Sequence, residues 1–310
     1  MIEFLTALVL NGANHALAAA CCGKSSAAPF LMVGDDQMQL SLGLALGNVV
    51  AHIADDGVPN FGSSRNSETS QAYKLDMAAL LSDRIQGGFS VPIATYAVSR
   101  GNLQEASTGL GDVRLSLGYE FLPSWSYSVW RPQGFLFTGL TLPTGRSYDG
   151  RRQVMATDVT GTGYFTWTVG ALLLKKWTVW DVFLVPETHY SFSRTTQDLG
   201  GAYTLSPGFG GSIGVGFGLS PGSGNLRFGF RLQPKLEQGL EVSTPAAAGN
   251  LVMSAGAVIA TCDTGIDASY MMSSVDSVSV SYTDQTLLGP AMNTSLSRSL
   301  GINFQHRWER

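Results

Sequence analysis

His189 and Ser191 are the two residues of this 310-residue chain whose types and spacing best suit acid–base chemistry. A histidine beside a hydroxyl can act as a general base and turn that hydroxyl into a nucleophile. Residues two apart lie on the same face of a β-strand, so a single strand would present both. The pair is therefore a candidate for hydrolytic chemistry.

The residues around this pair argue against catalysis on lipid. Outer-membrane lipid hydrolases such as phospholipase A carry His and Ser two apart on a lipid-facing strand, and the chain resembles them in that spacing alone, because their following Asn-Gly is missing. Apolar residues dominate the other face of the segment. If the strand belongs to a membrane barrel, that apolar face contacts lipid and the pair faces the interior of the barrel. The apolar residues are Trp180, Val182, Leu184, Tyr190 and Phe192. We therefore predict that the chain is not an enzyme.

Charged residues at alternate positions point to a second kind of chemistry, the handling of ions. In segment 226–237, Arg227, Arg231 and Lys235 alternate with apolar residues, so one face of that strand is basic. Such side chains either narrow a lumen and select ions by sign, or form charge pairs that only brace the interior, and both interpretations stay open. The predicted lumen-lining residues are Asp112, Arg114, Glu120, Asp181, Glu187, His189, Arg227, Arg231, Lys235 and Glu237.

The sequence offers no site for a metal, a nucleotide or nucleic acid. The glycines of segment 208–218 recur at a period of two along a strand, unlike the turn of a phosphate-binding loop. Cys21, Cys22 and Cys262 have no metal-ligand spacing, and a net charge of -4 without a basic run gives no footprint for nucleic acid. We therefore predict no cofactor, no metal and no nucleic-acid partner.

The strands that must position these residues are clearest in segment 109–122, GLGDVRLSLGYEFL. Leu115, Leu117 and Tyr119 alternate with Arg114 and Ser116, so apolar and polar residues fall on opposite faces of a strand. A soluble sheet over a core and the wall of a membrane barrel both have such strands. Composition decides between them.

Only 14% of the residues are charged, whereas 37 are glycine, so a soluble surface would be poorly solvated. Alternating segments of 10 to 16 residues recur from residue 37 to the end, with long and short connections in turn. We predict an all-β fold, a closed antiparallel transmembrane β-barrel of about 12 strands over residues 37–310. The alternative is a soluble β-sandwich or propeller. The long connections are expected to include residues 195–202 and 239–249, and the short turns to include Cys-Asp-Thr-Gly at 262–265.

The two ends of the chain are expected to carry targeting signals. Residues 1–20 resemble an export signal, and residues 21–36 are expected to form a periplasmic N-terminal segment or a short plug. Lipidation at Cys21 is a minority alternative. The last strand resembles the C-terminal strand of outer-membrane proteins, with Phe304 and Trp308 as the signal read by the barrel insertion machinery. Outer-membrane lipid and lipopolysaccharide are the further expected partners.

Two segments resemble a known family. Gly109, Gly111 and Asp112 open one strand, and Pro143, Thr144 and Gly145 end the next, GFLFTGLTLPTG. This pattern is similar to the outer-membrane transporter family named for the meta-cleavage pathway of phenol degradation. The resemblance implies location in the bacterial outer membrane and passive diffusion of small, hydrophobic or aromatic molecules as permeants. A lipid-modifying enzyme, or a structural or adhesive barrel with a blocked lumen, are the alternatives.

Overall fold

The computed structural model describes residues 31–32, 36–54, 56–62, 66–124, 128–198, 201–221, 225–246, 249–289 and 291–309. The described chain is almost entirely β-strand, with one 3-10 turn at Tyr148–Gly150. The strands are β1 (Asp36–Ile53), β2 (Pro59–Phe61), β3 (Asn66–Ser82), β4 (Ile85–Arg100), β5 (Leu103–Leu110), β6 (Val113–Leu122), β7 (Gln133–Leu142), β8 (Thr166–Lys176), β9 (Trp180–Ser191), β10 (Arg194–Asp198), β11 (Gly201–Ser206), β12 (Gly208–Leu219), β13 (Leu226–Glu237), β14 (Glu241–Ala246), β15 (Gly249–Ala255), β16 (Ile259–Met271), β17 (Asp276–Asp284) and β18 (Thr294–Glu309). None of the described residues forms a helix long and apolar enough to cross a membrane.

Twelve of these strands form one antiparallel sheet that closes on itself. Around the barrel the order is β1, β3, β4, β6, β7, β8, β9, β12, β13, β16, β17 and β18. The sheet closes by pairing β18 with β1, from Asp36 opposite Glu309 to Ile53 opposite Thr294. The predicted 12-stranded barrel is confirmed. A soluble sandwich is excluded, because in two packed open sheets β1 and β18 would be edge strands and would not pair with each other.

The barrel is apolar outside and polar inside. The exposed side chains of its wall include Leu42, Leu115, Leu117, Phe228, Phe230, Leu300 and Ile302. The buried polar side chains include Gln39, Ser41, Asp76, Gln86, Thr168, Asp181, Ser212 and Gln233. A soluble protein buries its apolar residues, so this reversed distribution requires a lipid environment around the wall.

Two aromatic clusters on and beside β9 mark the ends of the lipid-facing band. Near one end Trp180 stacks on Trp177 with ring centroids 4.2 Å apart, and near the other the rings of Tyr190 and Phe209 are 4.7 Å apart. Trp180 and Tyr190 lie ten residues apart on β9, which spans roughly 25 Å along the barrel axis at a rise of about 3.3 Å per residue and a tilt of about 40°. This is the height of the apolar band of outer-membrane barrels. The chain is therefore an outer-membrane β-barrel.

Two of the expected long connections do join barrel strands, but they contain strands of their own. Residues 195–202 lie between β9 and β12, and residues 239–249 lie between β13 and β16. They fall largely in β10, β11, β14 and β15, which form a separate four-stranded sheet at the end of the barrel opposite the chain termini. Cys-Asp-Thr-Gly at 262–265 lies within β16, and the short turn comes instead between Met271 and Asp276. The composition of this tetrapeptide is typical of a turn, but its residues continue the pairing of β16 with β13. The predicted export signal, residues 1–20, lies outside the described residues.

The strand predicted at 109–122 is divided at Gly111–Asp112. β5 pairs with the outer half of β4, and β6 pairs with its other half. Between them the backbone N–H of Gly111 donates to the carbonyl oxygen of Pro92 at 2.8 Å. Because Pro92 has no N–H to return, the ladder cannot continue regularly there, and a bulge results.

Candidate functional site

Nine of the ten residues predicted to line the lumen lie on β6, β9 and β13, where strand alternation places them on the face that carries the buried polar side chains. The tenth, Asp112, lies on the bulge before β6. That they line an open lumen stays a prediction. Their neighbours show which side chains are paired and which are available to a ligand.

Most of the basic side chains of β13 are paired. Arg227 donates to Asp181 from Nε and Nη2 at 2.8 Å each, and its Nη1 lies 3.0 Å from Asp267. Lys235 contacts Asp263 at 2.6 Å. A guanidinium held between two carboxylates cross-links three strands of the wall. These contacts support the bracing interpretation for Arg227 and Lys235.

His189 is turned towards the interior and engaged by another strand. Its Nε2 lies 2.8 Å from Oε2 of Glu237. The Ser191 hydroxyl is 2.8 Å from the hydroxyl of Thr166 instead of pairing with the imidazole. A lipid hydrolase would need the two groups together on the outer face, so the arrangement does not support catalysis on lipid.

The interior also has an apolar patch that the sequence did not predict. Its residues lie on three adjacent strands and are Phe135, Phe137, Leu172, Leu174, Phe183 and Val185. Phe135 and Phe137 are only 3% and 4% exposed. The segment Phe-Leu-Phe at 135–137 is apolar on both faces, so alternation gave no sign of it. We call these six residues the apolar patch.

Glycines on neighbouring strands make room for the rings of the patch. The ring of Phe137 lies over Gly170, where a Cβ would overlap it, and the ring of Phe183 lies over Gly216 in the same way. Gly214 differs, because its Cβ would stand 3.5 Å from Cβ of Val185, an ordinary contact. Gly170 and Gly216 therefore make room for bulky neighbours, whereas Gly214 does not.

The two motifs that resemble the transporter family meet in one hydrogen-bonded junction. Gly145 N–H donates to Asp112 Oδ1 at 3.0 Å, and the Thr144 hydroxyl donates to the Gly111 carbonyl at 2.7 Å. Asp112 Oδ2 also accepts from the backbone and the hydroxyl of Thr162, at 2.7 and 2.9 Å. Asp112 is thus an anchor for the connection between β7 and β8, rather than a free charge in the lumen.

That connection, residues 143–165, lies against the inner face of the wall. Met155 N–H donates to Glu105 at 2.8 Å, and the Thr160 side chain packs on Gly109. On the other side, Arg194 pairs with Asp149 and donates to Ser147. The connection therefore crosses from β5 to β10 at the mouth of the barrel, and we call it the mouth loop.

Asp158 holds the mouth loop together from within. Its Oδ2 accepts from the Arg152 backbone at 2.8 Å and from the Arg146 guanidinium at 2.9 Å. Burial by itself raises the pKa of Asp158, but the hydrogen bonds from Arg152, Arg146 and Gln153 outweigh it and hold the pKa below its usual value. The ionised carboxylate is therefore part of the folded loop.

Two residues of the predicted N-terminal segment lie inside the other end of the barrel. Met32 N–H donates to Gln86 Oε1 at 2.7 Å, and Leu31 packs over Gly118. Both wall residues belong to the inner face. Whether the rest of residues 21–36 forms a plug stays a prediction.

The residues of the predicted insertion signal lie on the outer face of β18. Phe304 pairs with Leu42 across the closing seam, and Trp308 pairs with Met38. His306 shares this face, and its Nδ1 lies 2.7 Å from Asp276 Oδ1. Recognition of Phe304 and Trp308 by the insertion machinery stays a prediction. Among the described residues, no group of His, Cys, Asp or Glu could hold a metal ion.

Comparison with solved structures identifies the fold. The chain is similar to an outer-membrane channel from Pseudomonas putida F1, with a TM-score of 0.70 over 92% of this chain and 100% of that one, at 12% sequence identity. The fold is that of an outer-membrane channel. Two weaker similarities have a TM-score of 0.42 each. The monoaromatic hydrocarbon channel CymD is 10% identical over 89% of this chain and 90% of that one. The P. putida toluene transporter TodX is 9% identical over 89% of this chain and 91% of that one. Those two scores are too low to support an argument.

Comparisons of the sequence with protein-family models and with curated proteins found no match. Membership of the phenol meta-cleavage transporter family therefore stays a prediction.

Proposed function

We propose that the protein is an outer-membrane channel for passive diffusion of small hydrophobic or aromatic molecules. The apolar patch is the observation that carries this proposal. A channel for hydrophilic solutes is lined by polar groups, whereas here the partly exposed side chains of Leu172, Leu174 and Phe183 project from the inner wall. Apolar surface of this kind favours the binding of hydrophobic solutes, because their transfer out of water lowers the free energy.

A barrel with a blocked lumen is the second candidate. It is favoured by the burial of Met32 and Phe135, each 3% exposed, because packed side chains there leave little open cross-section. The two candidates make opposite predictions about flux. A channel passes a hydrophobic solute through the lumen, whereas a blocked barrel passes none.

Uptake of N-phenyl-1-naphthylamine by intact cells tests the proposal, since an outer membrane with intact lipopolysaccharide excludes this hydrophobic dye. Cells that produce the protein are expected to take up the dye faster than cells with an empty vector. Phe183→Gln should slow uptake, and Thr188→Val, on the outer face of β9, should not. Equal uptake with and without the protein would contradict the channel and favour the blocked barrel.

A further inference from the structure

A chain of three polar side chains crosses the inner wall beside the apolar patch. The Ser212 hydroxyl donates to Glu187 Oε1 at 2.8 Å, and Gln233 Nε2 donates to the Ser212 oxygen at 2.9 Å. The residues come from the adjacent strands β9, β12 and β13. Ser212 has one proton and gives it to Glu187, so Gln233 must donate with its amide nitrogen. This fixes the orientation of the Gln233 amide.

Each end of this chain has an oxygen without a partner. Glu187 Oε2 and Gln233 Oε1 are buried and have no hydrogen-bond partner in the described part of the protein. Gln233 is only 3% exposed and Ser212 only 8%. A buried polar atom that is left without a hydrogen bond destabilises the folded protein. Two such acceptors on one hydrogen-bonded chain are therefore suited to a ligand that supplies a donor.

A donor without a partner faces the same region. Arg114 on β6 interacts electrostatically with Glu187, and its Nε is buried without a hydrogen-bond partner among the described residues. The Nε would lie 3.3 Å from a Cβ at Gly139, so the guanidinium extends over that glycine towards β7. Arg114 and Glu187 offset each other's charge. The ligand group that suits them is therefore neutral and can both donate and accept.

The apolar patch directly adjoins these polar groups. Gly170, which lies under the ring of Phe137, is the register partner of Glu187. Val185 and Gln233 flank Gly214, since a Cβ there would stand 3.5 Å from Val185 and 4.0 Å from Gln233. Three side chains of the patch are partly exposed, and they are Leu172, Leu174 and Phe183. A ligand can place its apolar body there while its polar end points towards Glu187, Gln233 and Arg114.

We propose that Arg114, Glu187 and Gln233 form a subsite that binds the hydroxyl group of an aromatic alcohol. A hydroxyl offers one proton to an acceptor and a lone pair to the guanidinium. A carboxylate would face Glu187, and an ammonium would face Arg114, each with like-charge repulsion. The subsite rests on the proposed channel function and gives it a preference for permeants that carry one neutral polar end.

Four naphthalene probes of the same shape test the subsite in intact cells at low, non-saturating concentration. They are 1-methylnaphthalene, 1-naphthalenemethanol, 1-naphthoate and 1-naphthylmethylamine, and their own fluorescence reports uptake. The protein-dependent rate for the alcohol is expected to exceed that for the hydrocarbon about fivefold, the factor that one net hydrogen bond of about 1 kcal/mol gives. The two charged probes should be slowest.

The double variant Glu187→Gln/Gln233→Met should abolish the preference for the alcohol while uptake of 1-methylnaphthalene continues, because the single proton of the alcohol can go to either acceptor. Thr188→Val, on the lipid side of β9, is the matched control and should keep the preference. Equal rates for alcohol and hydrocarbon in the wild type, an unchanged preference in the double variant, or faster uptake of a charged probe would overturn the subsite but not the channel. The absence of protein-dependent uptake for every probe would overturn both.

Discussion

Asp112 and Gly145 are 33 residues apart in the chain and are joined by a hydrogen bond of 3.0 Å from the Gly145 N–H to the Asp112 carboxylate. The contact joins the bulge before β6 to the start of the mouth loop. The other carboxylate oxygen binds Thr162, near the end of the same loop. One side chain therefore holds both ends of the loop against the wall.

Replacing Asp112 by Ala should release the mouth loop. The variant loses three hydrogen bonds to a charged acceptor, each of which contributes about 1.5–3 kcal/mol. Hydrogen exchange of the amides in residues 143–165 should become faster, while exchange in the barrel strands stays slow. Glu120→Gln, at the other end of β6, serves as the control and should leave the loop protected. Unchanged exchange in Asp112→Ala would show that other contacts fix the loop.

Gly216→Ala and Gly214→Ala should differ in stability although they lie two residues apart on the same face of β12. A methyl group added at position 216 would overlap the ring of Phe183, and overpacking of this kind costs about 1–3 kcal/mol. At position 214 the new methyl makes an ordinary contact, so the free energy of unfolding should change little. Guanidinium titrations of the folded barrel measure both. Adding Phe183→Leu should restore the stability of Gly216→Ala, and equal midpoints for the two single variants would refute the seating of the ring.

Two substitutions of Arg227 separate the effect of its charge from the effect of its hydrogen-bond geometry. Arg227→Gln leaves Asp181 and Asp267 without their cation, so the barrel should become less stable and more permeable to cations. Arg227→Lys keeps the charge but cannot bind Asp181 through two N–H groups, so stability should fall while ion selectivity is retained. Reversal potentials in planar bilayers and denaturant midpoints give the two readouts. A loss of selectivity in Arg227→Lys would show that the planar fork, not the charge, sets it.

Acidification should loosen the mouth loop through Asp158. The folded-state pKa of this carboxyl is held below its usual value of about 3.9, so its stabilising effect is present above that value and is lost as the pH falls through the folded-state pKa. Exchange in residues 143–165, corrected for the intrinsic rate, should therefore rise below about pH 4. In Asp158→Asn the exchange should already be fast at neutral pH and show little further dependence. A loop that stays protected in the wild type at low pH would contradict this role.

Alternation predicted the wall because lipid tolerates only apolar side chains at positions such as Leu115 and Leu117, and it placed Glu187 and His189 inside by the same rule. It could not predict the apolar patch, since nothing prevents a barrel from placing Phe137 inward once Gly170 makes room for its ring. The subsite was also hidden, because the chain from Glu187 to Gln233 depends on the register of three strands. The junction at Asp112 joins segments that only the folded barrel brings together.

Blocking the lumen by chemistry at a single position tests the central claim most directly. In a chain whose Cys21, Cys22 and Cys262 are replaced by Ser, a cysteine is introduced either at Phe183, which is partly exposed on the inner face, or at Leu184, which is exposed on the outer face. A bulky thiol-reactive reagent is attached, and the uptake of N-phenyl-1-naphthylamine by intact cells is measured before and after. The account predicts that modification at position 183 stops protein-dependent uptake, whereas modification at position 184 leaves it unchanged. Uptake that survives modification at position 183, or that falls equally at both, would show that hydrophobic molecules do not pass through the interior of this barrel.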